Sequence, residues 1–452
     1  MVRGCIDVLT HQEVSGWAAP DAGEGIDSRY VHIVLDGVNV ATVRADQFRS
    51  DLKELGISNG HSGFRFFFPS TPNPMVDHVV EIRDRDTGAP ITPCPMTLPS
   101  MLDAKSGLIF NPGMATTHIR TASFSNGSWN IQAELLGSKK FECGPSVSNG
   151  TIEEISLSSE PDVFLGALGI YRRVVNCRIR GNEQSKVVFL DLLRDPKQSG
   201  DQEAVCQIAI PATIPEYLTG ISSENMTRVS GPGVTLDLFA SSGVNTAFRL
   251  DSLLRRHFGN GFEAYERIFD WGIGAGRVGL PIKRLIAPYS NVLGSDVDEL
   301  NVRFGKQQNA DIDFVHSPYY PPLPFKDGSF DVAYGISVMT HLTEGAQIAW
   351  LKELRRIVKR GAPVVLTVHG EYAIFDVARR NVGVLQSALA RGISDQMLDM
   401  NLGPKLKDKF YYRSTFHTKK YVADVWSEFF DVVAHYSCAN VIVQDFVVLR
   451  AK

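Results

Sequence analysis

The feature that most constrains the fold is a change of pattern near residue 216 of this 452-residue chain. Before it, short β-rich runs follow one another around turn dipeptides such as Asp36-Gly37, Asn126-Gly127 and Asn149-Gly150. Such dipeptides favour hairpins, so this part predicts a β-sandwich-like region, either continuous or divided into two small ones. After it, strand-length apolar runs alternate with helical patterns, which predicts an α/β fold with a doubly wound, mostly parallel sheet.

Two further patterns divide the chain and close the sheet. The Pro-rich stretch 92–100 predicts a boundary, so the expected domains are a small β module (1–100), a second β-rich region (101–215) and the α/β domain (216–452). The chain ends with two strand runs, FFDVVAHYS and NVIVQDFVVLR. Their connection is too short for a helical crossover, so they are expected to pair antiparallel at the edge of the sheet.

Composition excludes several classes of protein. Lys+Arg 46 against Asp+Glu 50 gives a net charge of −4, which argues against a nucleic-acid partner bound by bulk charge. No apolar run approaches the roughly 20 residues of a membrane helix, and no signal peptide is recognisable. The six cysteines are scattered, which indicates reduced thiols. We therefore expect a cytoplasmic protein without a membrane span; its oligomeric state cannot be predicted from the sequence.

The strongest chemical signal is a glycine-rich loop directly after the first strand of the α/β region. It contains Asp270, Gly272, Gly274 and Gly276, and glycines at a strand-to-helix turn let the backbone approach a ligand. Asp296 follows Gly276 by about 20 residues and ends the second strand. A carboxylate in that position can hold ribose hydroxyls. Together these features predict a cofactor that contains a nucleoside.

The identity of the cofactor has two interpretations. Gly274, Gly276 and Gly279 satisfy G-x-G-x-x-G, so an NAD-dependent oxidoreductase acting on a nucleotide sugar is one alternative. Asp270 favours another, because a carboxylate two residues before the first glycine would repel a pyrophosphate but attract a cationic sulfonium ligand.

Several motifs in the second half of the chain resemble those of class I S-adenosylmethionine-dependent methyltransferases. They are DWGIGAGRV, GSDVDE, PPLPFKDGSFDVAYGISVMTHL and ELRRIVKRGAPVVLTVHG, and the resemblance extends from about residue 225 to the C-terminus. Bacterial, glycan-associated members with an upstream RVSG segment (here 228–231) are the most similar. Such relatives usually read G-C-G-C-G-R where this chain has Gly-Ile-Gly-Ala-Gly-Arg, small replacements that leave the backbone path usable.

This resemblance implies a seven-stranded Rossmann-like sheet with an antiparallel last strand, and S-adenosylmethionine as the cofactor. It also implies roles for individual positions. The methionine end of the cofactor would meet Asp270, Gly272, Gly274 and Gly276. Asp296 would hold the ribose, with Val297 and Ser317 beside the adenine and Gly335 beside the transferred methyl group.

Histidines after the strands are candidates for the chemistry, because a hydroxyl acceptor must lose a proton. His341 is the predicted base, with packing as the alternative role. His369 and His417 are candidate substrate contacts, as are Tyr319 and Tyr320 on a Pro-stiffened loop; for each, a purely structural role is the alternative. The sequence offers no convincing set of oxygen ligands for Mg²⁺, so no metal is expected.

The N-terminal module, with SGWAAPD and SGFRFFFP, resembles small β modules fused to bacterial glycosyltransferases. That resemblance implies a glycan or other small-molecule acceptor; the alternative is a spacer or dimerisation module that binds no ligand. The predicted function is therefore O-methylation of a sugar in a bacterial surface polysaccharide or glycolipid. The alternatives are the NAD-dependent oxidoreductase and a non-catalytic glycan-binding scaffold.

Overall fold

The computed structural model describes residues 2–20, 29–57, 59–69, 72–74, 76–91, 94–101, 116–137, 142–158, 171–194, 206–399, 411–441 and 443–452. The chain divides into two compact units: Met1–Leu108 with Phe375–Gln386, and Ile109–Ile374 with Ser387–Lys452. The predicted boundary at 100–101 adjoins residues 102–115, which lie outside the described residues. The predicted boundary at 215–216 falls inside the second unit, and the three-domain division stays a prediction.

The first unit is built from short antiparallel strands. These are β1 (Val2–Leu9), β2 (Glu13–Pro20), β3 (Arg29–Leu35), β4 (Val38–Ala45), β5 (Gln47–Phe48), β6 (His61–Phe67), β7 (His78–Asp84) and β8 (Met96–Leu98), with helix α1 (Ser50–Glu54) after β5. They form two four-stranded sheets, ordered β1-β2-β6-β5 and β4-β3-β7-β8. Both sheets contribute to one core, in which Phe64 of β6 and Ile33 of β3 are buried.

The second unit begins with another antiparallel β region. Its strands are β9 (Thr116–Ser125), β10 (Ser128–Gly137), β11 (Cys143–Ser148), β12 (Gly150–Ser158), β13 (Tyr171–Gly181), β14 (Val187–Leu193) and β15 (Ile208–Pro211). They form sheets ordered β12-β13-β10-β9 and β11-β14-β15, with Trp129 and Leu190 in their shared core. Asn126 and Gly127, in the predicted hairpin turn, have φ of 51° and 75°, as a type I′ turn requires. The buried residues of these strands form a cluster separate from that of the first unit.

The rest of the second unit is the α/β part. Its strands are β16 (Arg267–Trp271), β17 (Asn291–Asp296), β18 (Asp313–His316), β19 (Val332–Gly335), β20 (Pro363–His369), β21 (Ile393–Leu398), β22 (Arg413–His417), β23 (Phe430–Val441) and β24 (Gln444–Ala451). The helices are α2 (Ser223–Ser230), α3 (Leu236–Phe258), α4 (Gly279–Pro281, continued by a π-helical turn Ile282–Ile286), α5 (Glu299–Gln308), α6 (Glu344–Ile357), α7 (Glu371–Ala378), α8 (Val382–Arg391) and α9 (Lys419–Trp426).

The sheet is mixed, as predicted. Strands β18, β17, β16, β19 and β20 are adjacent in that order and parallel, while β24 pairs antiparallel with both β20 and β23. The predicted number of strands needs correction: within the described residues the sheet has nine strands rather than seven. The additional strands are β22 and β21. Strand β22 pairs with His369 at the end of β20, beyond the point where β19 stops at Gly335.

Helices cover both faces of this sheet and bury the apolar residues that the sequence pattern marks. On one face, α3 places Leu250, Leu253 and Leu254 in the core, and the helix ends at Gly259, whose φ of 81° is typical of a C-cap glycine. On the other face, α6 packs through Trp350. The α6 helix begins after Thr343, whose side-chain hydroxyl accepts a hydrogen bond from the backbone N–H of Ala346, as expected for an N-cap.

A buried arginine links the second β region to the α/β part. Arg249 lies on α3, is 2% exposed and donates hydrogen bonds to the carbonyl oxygens of Thr117, Ala439 and Asn440. Burial lowers the pKa of its guanidinium to about 10. The side chain therefore fastens β9 and β23 to the same helix.

Among the described residues, no helix combines the length and apolarity that crossing a bilayer requires.

Candidate active site

The glycine-rich loop leaves β16 in a left-handed backbone conformation. Gly272, Gly274 and Gly276 have φ of 81°, 55° and 86°. A Cβ atom at residue 272 would lie 2.4 Å from Cγ2 of Val338, so a side chain there would be both strained and obstructed. The loop therefore requires glycine, and its backbone itself forms the wall of the site.

Asp296 is joined directly to this loop. Its Oδ2 accepts a hydrogen bond from the backbone N–H of Gly274 at 2.7 Å, and its Oδ1 accepts one from the N–H of Asp298 at 2.8 Å. The loop and the carboxylate, predicted from their spacing to act together, are thus neighbours. Burial raises the pKa of Asp296 to about 6, although the two backbone N–H groups act in the opposite direction.

A second carboxylate lies under the loop. Asp270 is 2% exposed, and its Oδ2 accepts a hydrogen bond of 2.7 Å from the hydroxyl of Tyr334 on β19. Burial raises the pKa of Asp270 to about 7, and the charge of Asp296 adds to this rise. Arg277 is the nearby cation, and burial lowers its pKa to about 10. Two carboxylates in a poorly hydrated position favour a cationic ligand.

His341 lies opposite these groups, in a short 3₁₀ turn (Met339–His341) after β19. Its ring stacks on Tyr412 with centroids 5.0 Å apart. Its Nδ1 is 3.2 Å from the carbonyl oxygen of Arg413 and 3.4 Å from Oδ2 of Asp399. Both partners are acceptors, so the hydrogen of the neutral ring is on Nδ1 and the lone pair is on Nε2, the arrangement that a general base needs.

One cavity of about 870 Å³ connects the two groups of residues. Six of the predicted site residues line it: Asp270, Gly272, Gly274, Asp296, His341 and His369. Its size lies within the range typical of sites for small ligands. Ile119 of β9 also lines it, so the second β region contributes to the cavity wall.

Comparison with known proteins indicates the type of domain that contains this site. Residues 268–361, which include the glycine-rich loop, Asp296 and His341, match the family model described as "Methyltransferase domain". The chain carries a methyltransferase domain. The match also supports S-adenosylmethionine as the cofactor of this methyltransferase domain, as predicted. The NAD alternative has no comparable support.

Individual relatives are distant. A curated relative, the ubiquinone/menaquinone biosynthesis C-methyltransferase UbiE of Ectopseudomonas oleovorans, is 28% identical over 111 residues, which are 23% of this chain and 62% of that protein. The PH0226 protein of Pyrococcus horikoshii OT3 is 17% identical with a TM-score of 0.35, over 53% of this chain and 99% of that one. The magnesium protoporphyrin IX methyltransferase (ChlM) of Synechocystis PCC 6803 is 15% identical with a TM-score of 0.34, over 52% of this chain and 97% of that one.

The walls of the methyltransferase domain's cavity fit this cofactor. The left-handed loop exposes its backbone, and Asp296 is in the cavity wall with its two oxygens already oriented by N–H donors. The pKa of Asp270 is raised because the hydrogen bonds and positive charges around the buried carboxylate do not fully offset the loss of water from its ionised form. A positively charged ligand would provide that compensation.

Four other predicted cofactor contacts lie beside the cavity but are not among its lining residues. Gly276 donates its N–H to the carbonyl of Ile273 within the turn. Ser317 is buried and donates its backbone N–H to the carbonyl of Asp296, and the carbonyl of Val297 is 3.2 Å from Nε2 of His316. Gly335 lies against Trp271: a Cβ atom at residue 335 would be 2.8 Å from Cε3 of that ring. Their cofactor roles stay predictions.

The predicted substrate tyrosines have structural partners instead of a place in the cavity wall. The carbonyl oxygen of Tyr319 accepts hydrogen bonds from Nε1 of Trp350 at 3.1 Å and from the hydroxyl of Tyr411 at 2.6 Å. Tyr320 is 53% exposed, and its ring meets that of Tyr411 edge-on. These contacts favour the packing alternative for the loop.

His417 is likewise absent from the cavity wall. It is fully buried, its Nε2 is 2.9 Å from Oε1 of Gln347, and burial lowers its pKa to about 3. Side chains alternate along a strand, and Ser414, three residues earlier on β22, is the one that lines the cavity. His417 therefore faces the other side, which favours the structural alternative.

Several residues that line the cavity were not predicted as site residues. Arg228, at the end of α2, forms an ion pair with Asp298, with Nη2 of the arginine 3.0 Å from Oδ1. The whole segment 227–234 lines the cavity, and the RVSG motif was its only signal in the sequence. Asp399 and Tyr412 had no signal, because strand pairing far along the chain brings them to His341.

Within the described part of the chain, no group of three or more His, Cys, Asp or Glu residues is arranged to hold a metal ion.

We predict that Asp270 and Asp296 stabilise the cofactor-free protein at about pH 4 and that this contribution decreases as the pH rises to about 7. Their pKa values are about 7 and 6 in the folded protein, so the folded protein keeps protons that the unfolded chain loses near pH 4. His369 and His417, whose pKa values burial lowers to about 3, act in the opposite direction, so the wild-type protein is compared with a variant by urea denaturation at a series of pH values. The free energy of unfolding of the wild type minus that of a variant with both D270N and D296N should decrease over this range, and a constant difference would contradict the prediction.

Proposed function

We propose that the protein transfers a methyl group from S-adenosylmethionine to a hydroxyl group of a sugar in a bacterial surface polysaccharide or glycolipid. One observation carries the proposal: a single cavity joins the glycine-rich loop and Asp296 to two histidines, His341 and His369. The glycine-rich loop and Asp296 suit a cationic nucleoside, and the two histidines suit a hydroxyl acceptor. The sugar itself is supported only by the resemblance of the N-terminal module to those of glycosyltransferases.

Bound S-adenosylmethionine supplies a methyl group attached to a positively charged sulfur. Nε2 of His341 would accept the proton that the acceptor hydroxyl loses when this methyl group is transferred to its oxygen. The carboxylate of Asp399, 3.4 Å from Nδ1, then stabilises the imidazolium ion. Asp296 and the loop hold the nucleoside in place, so that acceptor and methyl group meet in a fixed orientation.

Two further predictions belong to this proposal. The module 1–100 is proposed to hold the glycan or to attach the enzyme to other assembly proteins, and the cytoplasm is proposed as the location. The NAD-dependent oxidoreductase is not retained, because the family match and the antiparallel β24 both favour a methyltransferase. A non-catalytic scaffold remains as an outcome of the following test.

The test is transfer of a radiolabelled methyl group from S-adenosylmethionine to an extract of surface glycans from the producing cells. We expect the wild-type protein to label the extract, whereas H341Q should reduce kcat about 100-fold or more, because a general base typically contributes at least that factor. H257Q is the control: His257 contacts the hydroxyl of Tyr436 and does not line the cavity. An unlabelled extract would favour the scaffold, and full activity of H341Q would remove the base assignment.

The acceptor can be identified independently. Mass spectrometry of surface glycans from cells with and without the gene should show a difference of one methylene mass per modified sugar. Identical spectra would argue against a glycan acceptor, while leaving methyl transfer to another molecule open to the labelling assay.

A further inference from the structure

Two imidazole rings in the cavity are held by one strand. Nδ1 of His341 is 3.2 Å from the carbonyl oxygen of Arg413, and Nδ1 of His369 is 3.2 Å from the carbonyl oxygen of Thr415. Carbonyl oxygens only accept, so in both neutral rings Nδ1 carries the hydrogen and Nε2 the lone pair. Residues 413 and 415 are two apart on β22, which explains why both carbonyls face the same side.

Packing fixes both rings beside each other. His341 stacks on Tyr412, and His369 stacks on Phe416 with centroids 5.2 Å apart. The two histidine rings have centroids 6.3 Å apart and are nearly perpendicular. Within the described residues, neither Nε2 atom has a hydrogen-bond partner, and both residues line the cavity. The cavity thus presents two adjacent acceptors that a ligand must satisfy.

Two side-chain amides that line the cavity, those of Gln444 and Asn440, donate to groups other than these two Nε2 atoms. Nε2 of Gln444 donates to the hydroxyl of Ser337 at 2.9 Å, and Nδ2 of Asn440 donates to Oε1 of Gln444 at 2.9 Å. Asp399 adds a carboxylate beside His341 and so disfavours an anionic acceptor group. A carbonyl, carboxylate or phosphate group supplies no hydrogen to either Nε2 atom, whereas a pair of hydroxyls supplies two.

We propose that the acceptor carries two hydroxyl groups on neighbouring carbon atoms, one donating to Nε2 of His341 and the other to Nε2 of His369. This inference rests on the proposed methyl transfer and specifies its substrate class, a vicinal diol. A diol meets both acceptors, whereas an isolated hydroxyl leaves one of them without a donor, which costs about 1–3 kcal/mol for a buried group.

The surroundings give the two histidines different roles. Burial and, to a lesser extent, the neighbouring His341 lower the pKa of His369 to about 3, so His369 stays neutral and only accepts. His341 has the Asp399 carboxylate beside its Nδ1 and can hold the proton that the reacting hydroxyl loses. The hydroxyl bound by His341 is therefore the methylated one, and the hydroxyl bound by His369 keeps its proton and orients the acceptor.

Periodate tests the substrate class without knowledge of the acceptor, because it cleaves vicinal diols and destroys catechols. The cell extract is divided, one half is treated with periodate and quenched, and both halves are labelled by the wild-type protein. We expect labelling of the untreated half alone. Equal labelling of both halves would overturn the diol and leave the methyltransferase proposal intact. As a control, the two halves are mixed before labelling. If the untreated material in this mixture is labelled as fully as it is alone, inhibition by residual periodate is excluded.

The untreated half tests the proposed function itself. If it stays unlabelled while the protein binds S-adenosylhomocysteine in calorimetry, methyl transfer and the diol fail together, whereas failure of the diol alone leaves this half labelled. Chromatography of the hydrolysed labelled product distinguishes a sugar diol from a catechol; either supports the inference.

H369F tests the orienting role. Phenylalanine keeps the stacking with Phe416 and removes the acceptor, so we expect KM for the labelled acceptor to rise about 3- to 10-fold, the effect of one lost hydrogen bond, with a small change in kcat. The affinity for S-adenosylhomocysteine should remain that of the wild type, whereas the melting temperature should fall slightly because the carbonyl oxygen of Thr415 loses its Nδ1 donor. H369N is a second variant should H369F fold poorly. An unchanged KM in a folded variant would contradict the assignment.

Discussion

Replacing Asp296 with alanine is expected to weaken binding of S-adenosylhomocysteine about 100-fold or more. The carboxylate accepts hydrogen bonds from the N–H groups of Gly274 and Asp298 and is part of the cavity wall, so its loss removes both the ribose partner and the anchor of the glycine-rich loop. A hydrogen bond to a charged carboxylate contributes about 1.5–3 kcal/mol. The loss of two such bonds therefore weakens binding by more than a factor of about 100. Isothermal titration calorimetry measures the change.

The matched control for this variant is D311A. Asp311 is a surface carboxylate paired with Arg284, and it does not line the cavity. We expect its removal to leave the affinity unchanged. D296N keeps the volume of the side chain but places an NH₂ donor opposite the backbone N–H of Gly274 or Asp298. We therefore expect this variant also to bind S-adenosylhomocysteine weakly. Unchanged affinity in D296A would remove the ribose assignment.

Replacing Arg249 with leucine is expected to lower the free energy of unfolding by about 3–5 kcal/mol. The substitution leaves the carbonyl oxygens of Thr117, Ala439 and Asn440 without their donor in a region that water does not reach. Each unsatisfied buried acceptor costs about 1–3 kcal/mol, partly offset by the apolar surface of leucine. Urea denaturation, monitored by tryptophan fluorescence, measures this decrease in the free energy of unfolding from the transition of the second unit.

R255L is the control on the same helix. Arg255 is 52% exposed in its ion pairs with Asp251 and Glu263. Exposed ion pairs contribute at most about 1 kcal/mol, so this variant should stay close to the wild type. Similar losses for both variants would mean that the buried contacts of Arg249 do not hold the second β region to the α/β part.

The cofactor side of the site could be predicted because its signals are local. A glycine-rich turn after a strand and a carboxylate at the end of the next strand are fixed by the chain direction in parallel sheets, so Gly274 and Asp296 meet wherever that fold forms. The antiparallel pair β23–β24 was predictable for a similar reason, since its connection is short.

The partners of the predicted histidines could not be predicted, because they depend on the pairing of distant segments. Asp399 and Tyr412 belong to an insertion that adds two strands to the sheet, and nothing in the residues around them announces that they meet His341. The direction of His417 was also hidden, because it depends on the register of β22. The contribution of Ile119 from a separate β region was equally hidden.

The nine-stranded sheet separates two kinds of recognition along the chain. Strands common to the predicted seven carry Asp270 and Asp296, the proposed cofactor contacts, whereas the inserted pair β21–β22 and its flanking residues orient the histidines and contribute Ser414. Because β22 pairs with the sheet at the end of β20, replacement of the inserted pair would leave the strands that carry these two carboxylates in place. Exchange of this segment among homologous enzymes would then change which molecule is modified while the donor stays the same, an evolutionary route to new acceptors on an unaltered catalytic frame.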